Sequence, residues 1–279
     1  MNPFSVVIPA YNEERGIALV INAIRARNPH CEIVVVDDGS TDGTASAAES
    51  TGSIVLRHPA KGGYERSLMD GIQAAQHDII VITDGDGTYP VERIGDLVRK
   101  IEEGFDMAVG ARQGTQQYNS LLRAPARLLF KFLVEFTTGA HIPDINSGMR
   151  SFRKSQVLPY FPDLCQGFSF TTTLTLIYKL TGKFIVYLPI EYRKRIGKSK
   201  VSVIRDSLRT LQYVVEVIVM YNPLKLFLLL CLLLSALALA TFVWWIFSPQ
   251  PGLLIVASTF IGFSFLLFGI GLLAYLGKR

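Results

Sequence analysis

The distribution of apolar residues divides the chain into two parts. Up to residue 222, short apolar runs alternate with longer segments of helical spacing, whereas the remainder is apolar almost throughout. Leu226–Phe247 and Leu253–Leu276 contain no charged residue, and each run exceeds the roughly 20 residues that cross a bilayer core. We therefore expect two membrane-spanning helices at 226–247 and 253–276. The alternative is a helical hairpin buried in a soluble core. Apolar runs of this length and uniformity disfavour it.

Within the first 222 residues the alternation is typical of βαβ units and predicts a doubly wound, mostly parallel α/β sheet. Strands are expected at Phe4–Pro9, Ile33–Asp37, Ile54–Arg57, Ile79–Thr83 and Met107–Ala111. Helices are expected at Glu14–Arg27, Thr44–Ser50, Lys61–Gln76 and Val91–Glu103. The apolar, β-branched strands suit burial on both faces of the sheet.

Two more segments have helical spacing. Tyr118–Phe136 combines leucines and phenylalanines with arginines, so it either lies on a membrane surface or covers the sheet edge with its basic residues in solvent. Val201–Tyr221 runs into the first span, and we expect an interfacial helix there between the domain and its anchor.

Charge is concentrated in the first part of the chain. All 23 acidic residues and all but three of the 28 lysines and arginines precede Pro223. Lys225 precedes the first span and Lys278 and Arg279 follow the second, while the link 248–252 has no positive charge. By the positive-inside rule both termini, and with them the domain, are expected in the cytoplasm. The N-terminus has no secretory signal pattern, which agrees with this orientation.

Composition excludes several classes of protein. The cysteines, Cys31, Cys165 and Cys231, lack the spacing of a disulfide framework or a metal site. The aromatic residues do not interleave with a basic stripe, so we expect no nucleic-acid binding. A basic cluster precedes the anchor, where it would attract membrane lipids or an anionic lipid substrate. It consists of Arg193, Lys194, Arg195, Lys198, Lys200, Arg205 and Arg209.

Polar clusters follow the predicted strands, at 9–13, 37–40, 84–87 and 110–112. In an open parallel sheet, ligands bind outside the carboxyl ends of the strands, so these clusters are expected to share one cleft. Acidic residues at neighbouring strand ends repel one another, which favours a divalent metal together with a polar base and ribose. The triplet Asp84-Gly85-Asp86 suits Mg²⁺ or Mn²⁺ bridging phosphates. Taken alone, such a triplet is equally a surface turn that ends a strand.

The motifs together resemble those of the family 2 glycosyltransferases, and within that family the polyprenyl-phosphate glycosyltransferases of the dolichyl-phosphate mannose synthase type. They are VVIPAYNEE from Val6, VVVDDGSTDGT from Val34, ITDGDGTYP from Ile82, VGAR from Val109, INSGMRSFRK from Ile145 and PIEYRKRIGKSK from Pro189. The resemblance implies a GT-A nucleotide-diphospho-sugar transferase fold over residues 1–200. An interfacial helix at 201–222 and a two-helix transmembrane hairpin at 223–279 would follow.

The resemblance also implies roles for individual residues. The nucleoside contacts are Pro9, Tyr11, Glu13, Val36 and Asp38. The diphosphate and its metal are held by Asp84, Gly85 and Asp86, with Asp84 and Asp86 as the metal ligands. Lys61 and Arg112 lie near the phosphates of donor or acceptor, and a basic set closes over them, formed by Arg123, Arg195, Ser199 and Lys200. Catalysis itself is assigned to Asp86, Arg112 and Arg123.

Two departures from the family pattern bear on the acceptor. Thr88 stands where relatives often have glutamine, and 167–173 contains no acidic residue where many relatives use one as a base. A sugar hydroxyl needs a general base for its proton. A phosphate monoester needs none, because its second pKa is about 6 and its oxygen is already ionised. The missing carboxylate thus favours a phosphate acceptor, provided that no other acid takes its place.

The sequence therefore predicts an inverting, metal-dependent enzyme that moves one sugar from a nucleotide-diphosphate sugar, of the GDP-mannose or UDP-glucose class, to dolichyl or undecaprenyl phosphate. A separate flippase or a downstream transferase is expected to handle the product. Two alternatives stay open: a glycosyltransferase that acts on a hydroxyl of a glycan or lipid, and a non-catalytic membrane scaffold.

Overall fold

The computed structural model describes residues 2–113, 132–164, 170–193, 212 and 214–277. The strands are β1 (Phe4–Ala10), β2 (Glu32–Asp37), β3 (Ile54–Arg57), β4 (Ile79–Ile82), β5 (Met107–Gln113), β6 (Arg150–Arg153) and β7 (Ile185–Glu191). The helices of the domain are α1 (Ile17–Arg27), α2 (Thr44–Glu49), α3 (Tyr64–Ala74), α4 (Ile94–Glu102), α5 (Lys154–Val157), α6 (Phe161–Leu164) and α7 (Phe170–Leu180). Two long helices follow, α8 (Pro223–Phe247) and α9 (Pro251–Leu276).

The strands form one sheet in the order β3-β2-β1-β4-β6-β5-β7. All neighbouring pairs are parallel except those that involve β6, which is antiparallel to both β4 and β5. The expected mixed, mostly parallel α/β fold is confirmed, and so are the five predicted strands, to within one or two residues at their ends. Because β6 is antiparallel, its first residue lies beside the carboxyl end of β4. The residues just before β6 therefore lie at the same edge of the sheet as the residues that follow β4.

Helices cover both faces of the sheet, which explains its continuous apolar runs. Successive side chains of β1 point to opposite faces: Val6 belongs to the core under α1 and α4, and Val7 to the core under α3 and α7. The second of these cores also contains Val217 and Ile218, from a helical segment at 214–221.

The helices α8 and α9 are long and apolar enough to cross a membrane, and they agree with the two predicted spans. They contact each other through Ser264, whose hydroxyl donates to the Cys231 carbonyl at 3.2 Å. The Phe227 side chain lies against Gly271, so the helices run antiparallel.

Of the two additional predicted helices, the structure describes only the C-terminal parts. Residues 132–138 of the first are helical, with Val134 in the core and Phe132 exposed. Of the second, 214–221 is helical and packs on the domain. The division at residues 200 and 222 stays a prediction.

Candidate active site

The turn that carries the two aspartates lies directly against the end of β1. A β-carbon on Gly85 would lie 3.0 Å from Ile17 Cδ1, 3.3 Å from Ile8 Cγ2 and 3.9 Å from the Pro9 carbonyl oxygen. A larger residue would push the turn away from β1 and from the start of α1. Glycine at this position therefore brings the ends of β1 and β4 together.

The loops after β1 and β2 are joined by hydrogen bonds. Asn12 N donates to Ser40 Oγ at 2.9 Å, Asn12 Oδ1 accepts from Thr41 N at 2.8 Å, and Glu13 N donates to Thr44 Oγ1 at 2.8 Å. Asn12 has φ of 53°, a left-handed conformation that asparagine tolerates better than most residues. The predicted nucleoside contacts at 9–13 and at Asp38 thus lie on two loops that are hydrogen-bonded to each other.

The carboxylate of Asp38 is buried and held by three neighbours. Its Oδ1 accepts from Gly62 N at 2.7 Å and Gly63 N at 3.2 Å and lies 2.9 Å from His58 Nδ1, while Oδ2 accepts from Gly63 N at 2.9 Å. The other imidazole nitrogen of His58 lies 3.0 Å from Asp70 Oδ2. The predicted base-binding carboxylate is therefore oriented by a histidine and by the backbone before α3.

Lys61 lies beside the predicted nucleoside site. Its Nζ is 4.4 Å from the centroid of the Tyr11 ring, a cation–π distance. Gly39, with φ of +70°, lets the backbone before Lys61 lie against the loop after β2. A β-carbon on Gly39 would be 2.7 Å from the Ala60 carbonyl carbon. Val36, by contrast, is fully buried, and its Cγ2 faces Gly71 of α3.

Asp84 meets residues from two distant segments. Tyr64 Oη donates to its Oδ1 at 3.1 Å, and a β-carbon on Gly148 would lie 3.1 Å from both carboxylate oxygens. Burial, and next the Asp84 charge, raise the pKa of the Tyr64 phenol well above its usual range. The phenol therefore stays protonated and donates to the carboxylate.

Asp86 is buried and oriented by Thr88. Its Oδ1 accepts from Thr88 N at 3.0 Å and from Thr88 Oγ1 at 2.6 Å. The threonine that stands in place of the family's usual glutamine thus binds the second aspartate. The Thr88 carbonyl in turn accepts from Arg193 N at 2.9 Å, which brings the chain after β7 to this turn.

Arg112 forms a two-pronged ion pair with Asp144. Its Nε and Nη2 donate to Oδ2 and Oδ1 at 2.7 and 2.9 Å, and its backbone N donates to Oδ2 at 3.1 Å. Burial acts to lower the pKa of Arg112, but Asp144 together with Tyr89 and Tyr192 outweighs it, and the pKa lies above its usual value. The guanidinium also lies 5.3 Å from the ring centroid of Tyr192.

Arg150 joins the 145–149 loop to α7. It is fully buried, and it donates to the Ser147 carbonyl at 2.6 Å and to the Thr171 carbonyl at 2.8 Å. Thr171 Oγ1 donates to Asn146 Oδ1 at 2.9 Å. The segment in which relatives carry an acidic residue therefore lies beside this loop, and its described part, 170–173, is phenylalanine and three buried threonines.

Sequence reasoning missed several residues of the site, namely His58, Tyr64, Asp144 and Gly148. Gly148 belongs to the motif INSGMR and Asp144 stands just before it, but nothing in the pattern indicated that this loop lies against Asp84 and Arg112.

Other predicted site residues lie outside the described residues: Arg123, Arg195, Ser199 and Lys200. Of the seven basic residues before the anchor, the structure describes Arg193, which forms an ion pair with Glu92.

The aspartates suit the expected divalent metal. Both offer hard carboxylate oxygens on one turn, and a magnesium ion is commonly held by one or two carboxylates together with substrate phosphates. Among the described residues no group of three acidic, histidine or cysteine side chains could hold a metal by itself. Two carboxylates on one turn fit an ion that has further coordination positions open to another ligand.

This fold and this aspartate turn at the carboxyl edge of β4 define a GT-A glycosyltransferase. The profile of Glycosyl transferase family 2 matches residues 5–158, and the chain belongs to that family. The expected enzyme class is thereby confirmed.

The relatives include undecaprenyl-phosphate 4-deoxy-4-formamido-L-arabinose transferases of Salmonella choleraesuis (strain SC-B67) and Salmonella newport (strain SL254). Each is 29% identical over 297 residues, and the match covers 98% of this chain and 88% of theirs. Similarity over this length, together with α8 and α9, identifies a membrane protein.

Among solved structures the chain is similar to glucosyl-3-phosphoglycerate synthase from Mycobacterium tuberculosis. Its complex with Mn²⁺, UDP and phosphoglyceric acid gives a TM-score of 0.61 at 21% identity, covering 77% of this chain and 78% of that one. Its complex with Mg²⁺ and UDP gives 0.61 at 21%, covering 77% and 79%. At this identity the likeness shows the fold.

Proposed function

We propose that the protein transfers a single sugar, with inversion, from a uridine-diphosphate sugar to a polyprenyl phosphate at the cytoplasmic face of a membrane. The observation that carries the acceptor assignment is the Arg112–Asp144 ion pair. Asp144 is connected to the segment 170–173 through Asn146, whose N donates to Asp144 Oδ1 at 3.2 Å and whose Oδ1 accepts from Thr171 Oγ1 at 2.9 Å, and both oxygens of Asp144 accept from Arg112. A carboxylate bound in this way is poorly suited to remove a proton from a sugar hydroxyl.

A phosphate acceptor does not need that proton transfer. Its oxygen is ionised near neutral pH, so the enzyme has only to align it with the anomeric carbon and to stabilise charge. The relatives named for undecaprenyl phosphate support such an acceptor. Arg123, Arg195, Ser199 and Lys200 are proposed to contact the phosphates, as the family resemblance suggests.

The choice of uridine rests on the hydrogen bonds of Asp38. A carboxylate offers about four acceptor positions, and Oδ1 already has three donors nearby, whereas Oδ2 has one. Room for one further N–H fits uracil, whose pairing edge has a single ring N–H. Guanine offers two adjacent donors that need both oxygens. The solved structures with UDP support the same base.

The diphosphate is proposed to lie at Asp84 and Asp86, which would hold Mg²⁺ or Mn²⁺. A metal held there would supply positive charge to stabilise the departing nucleoside diphosphate. Tyr64 and Thr88 keep the two carboxylates in place, and Gly85 lets the turn pack against β1 and α1. Tyr11, Glu13 and Lys61 complete the nucleoside and phosphate contacts, with Arg112 near the transferred group.

We propose that both termini and the domain lie in the cytoplasm, which the positive charges at the ends of the hairpin support. Two spans are few for moving a lipid-linked sugar across the bilayer, so a separate flippase or a downstream transferase is proposed to take the product.

A transfer assay tests the proposal. Purified protein is incubated with undecaprenyl phosphate, Mn²⁺ or Mg²⁺ and a panel of radiolabelled UDP- and GDP-sugars, and label extracted into organic solvent is counted. We expect label from a UDP-sugar, and loss of at least about a hundredfold in Asp86→Ala or on adding a chelator. The matched control is Asp96→Ala, on the surface of α4. Full turnover by Asp86→Ala would refute the metal assignment.

The product distinguishes the remaining alternatives. A sugar phosphodiester of a polyprenol is cleaved by mild acid, whereas a glycoside resists it. Acid-stable labelled lipid would favour the hydroxyl acceptor. Binding of UDP-sugars without turnover on any acceptor would favour the scaffold.

A further inference from the structure

The first transmembrane helix is attached to the domain by a lysine. Lys225 Nζ donates to the carbonyl of Thr137 at 2.9 Å. Thr137 lies in the last turn of the helical segment 132–138, which ends at Gly139 with φ of +67°. A cationic side chain at a helix C-terminus binds unpaired carbonyls and interacts favourably with the helix dipole.

The same segment leads directly to the active site. Glu135 Oε1 lies 2.7 Å from His141 Nδ1 and accepts from Ile142 N at 3.4 Å, which holds the chain after the helix in place. Ile142 is buried in the core. Two residues later comes Asp144, the partner of Arg112. The lysine is therefore connected to the Arg112–Asp144 pair by a short, well-held stretch of backbone.

The transmembrane side of the contact is equally constrained. Val217 and Ile218 are buried in the domain core, and Leu226 packs against it. Asn222 N donates to the Ile218 carbonyl at 2.7 Å, and Asn222 Oδ1 accepts from Lys225 N at 3.4 Å. Residues 214–226 thus leave little freedom between the domain and α8.

We infer that Lys225 is a positioning residue, which sets the height and tilt of the active site over the membrane by binding α8 to the segment that carries Asp144. The inference rests on the proposed lipid acceptor. The phosphate of such an acceptor lies at the depth of the headgroups, so misplacement of the site affects this substrate and not one that diffuses freely. Small misplacements cost much in rate when reacting groups must be aligned.

The test compares two acceptors with the full-length protein in liposomes. One is undecaprenyl phosphate in the bilayer, and the other is a short, water-soluble isoprenoid phosphate of about ten carbons. The variants are Lys225→Met, which keeps an unbranched apolar stem without the ammonium group, and Lys225→Arg, which keeps a donor. The matched control is Lys154→Met, because Lys154 Nζ likewise donates to helix-end carbonyls, of Gln73 and Ala75 at 2.8 Å, far along the chain from the anchor.

For Lys225→Met we expect kcat/KM for the bilayer acceptor to fall about tenfold, with the soluble acceptor changed less than about twofold. Lys225→Arg restores most of the loss, and Lys154→Met changes both acceptors alike. Insertion of two glycines between Asn222 and Pro223 keeps the lysine, and it also lowers kcat/KM for the bilayer acceptor more than for the soluble one. Equal loss with both acceptors, or no loss in either variant, overturns the inference. Failure of the wild-type protein with both acceptors refutes the proposed function instead.

Discussion

Gly148 lies against Asp84, since a β-carbon at Gly148 would be 3.1 Å from each of the two carboxylate oxygens. The Gly148 N–H donates to Tyr89 Oη at 2.7 Å, and this hydrogen bond holds the loop against Asp84. The contact joins the loop before β6 to the turn after β4, and it links a motif without an assigned role to the proposed metal site.

A methyl group at this point should displace Asp84. Because contacts of 3.1 Å force Asp84 to give way by a few tenths of an ångström, we expect Gly148→Ala to lower kcat/KM by roughly threefold to tenfold. The measurement is the transfer assay over a range of Mn²⁺ concentrations, in which the variant needs more metal. The control is Gly252→Ala, whose added methyl meets open space. Unchanged metal dependence in Gly148→Ala would contradict this account of Asp84.

The Arg112–Asp144 pair should behave as one unit. Arg112→Ala leaves a buried carboxylate without its partner, and we expect the free energy of unfolding to fall by about 3 kcal/mol or more. The double variant Arg112→Met, Asp144→Leu should regain much of that stability, yet stay inactive. Thermal unfolding in detergent and the transfer assay measure the two effects. Additive losses in the double variant would show that the side chains act independently.

His58 should matter for nucleotide binding because it orients Asp38. Loss of a hydrogen bond to a charged group costs about 1.5 kcal/mol, or about tenfold in affinity. We therefore expect His58→Ala to weaken UDP binding by about that factor in calorimetry, with little effect on membrane insertion. His30→Ala is the matched control, because that histidine is exposed in the turn before β2. Equal UDP affinity in the two variants would exclude a positioning role for His58.

Tyr64 should make stability depend on pH in the alkaline range. Because the native pKa of this phenol is raised, its contribution to stability is complete below the unfolded pKa of about 10 and is lost as pH rises towards the native value. We expect the melting temperature to fall more steeply between about pH 9.5 and 11 in the wild type than in Tyr64→Phe. Equal slopes in the two proteins would mean that the pKa of the Tyr64 phenol is not raised in the native state.

Local pattern was sufficient for much of the fold. The five predicted strands are short apolar runs, four of them largely buried and the edge strand β3 partly exposed, and the spans are long runs without charge, so each is visible within its own segment. The strands β6 and β7 were missed. The strand β6, Arg150–Arg153, has no apolar run. Its first residue, Arg150, is buried among carbonyl oxygens of the loop before it and of α7.

The sequence by itself determined the strands β1 to β5, the two apolar helices and the aspartate turn at the end of β4, because these depend on neighbours in the chain. Only the tertiary structure decided which side chains orient the site. Asp38 with His58, Asp84 with Gly148, Arg112 with Asp144 and Thr137 with Lys225 are contacts between separate segments. The first exists because β2 and β3 pair in parallel, the next two because β6 runs antiparallel between β4 and β5, and the last because the helix before α8 packs into the core. None of these arrangements follows from the pattern of any one segment.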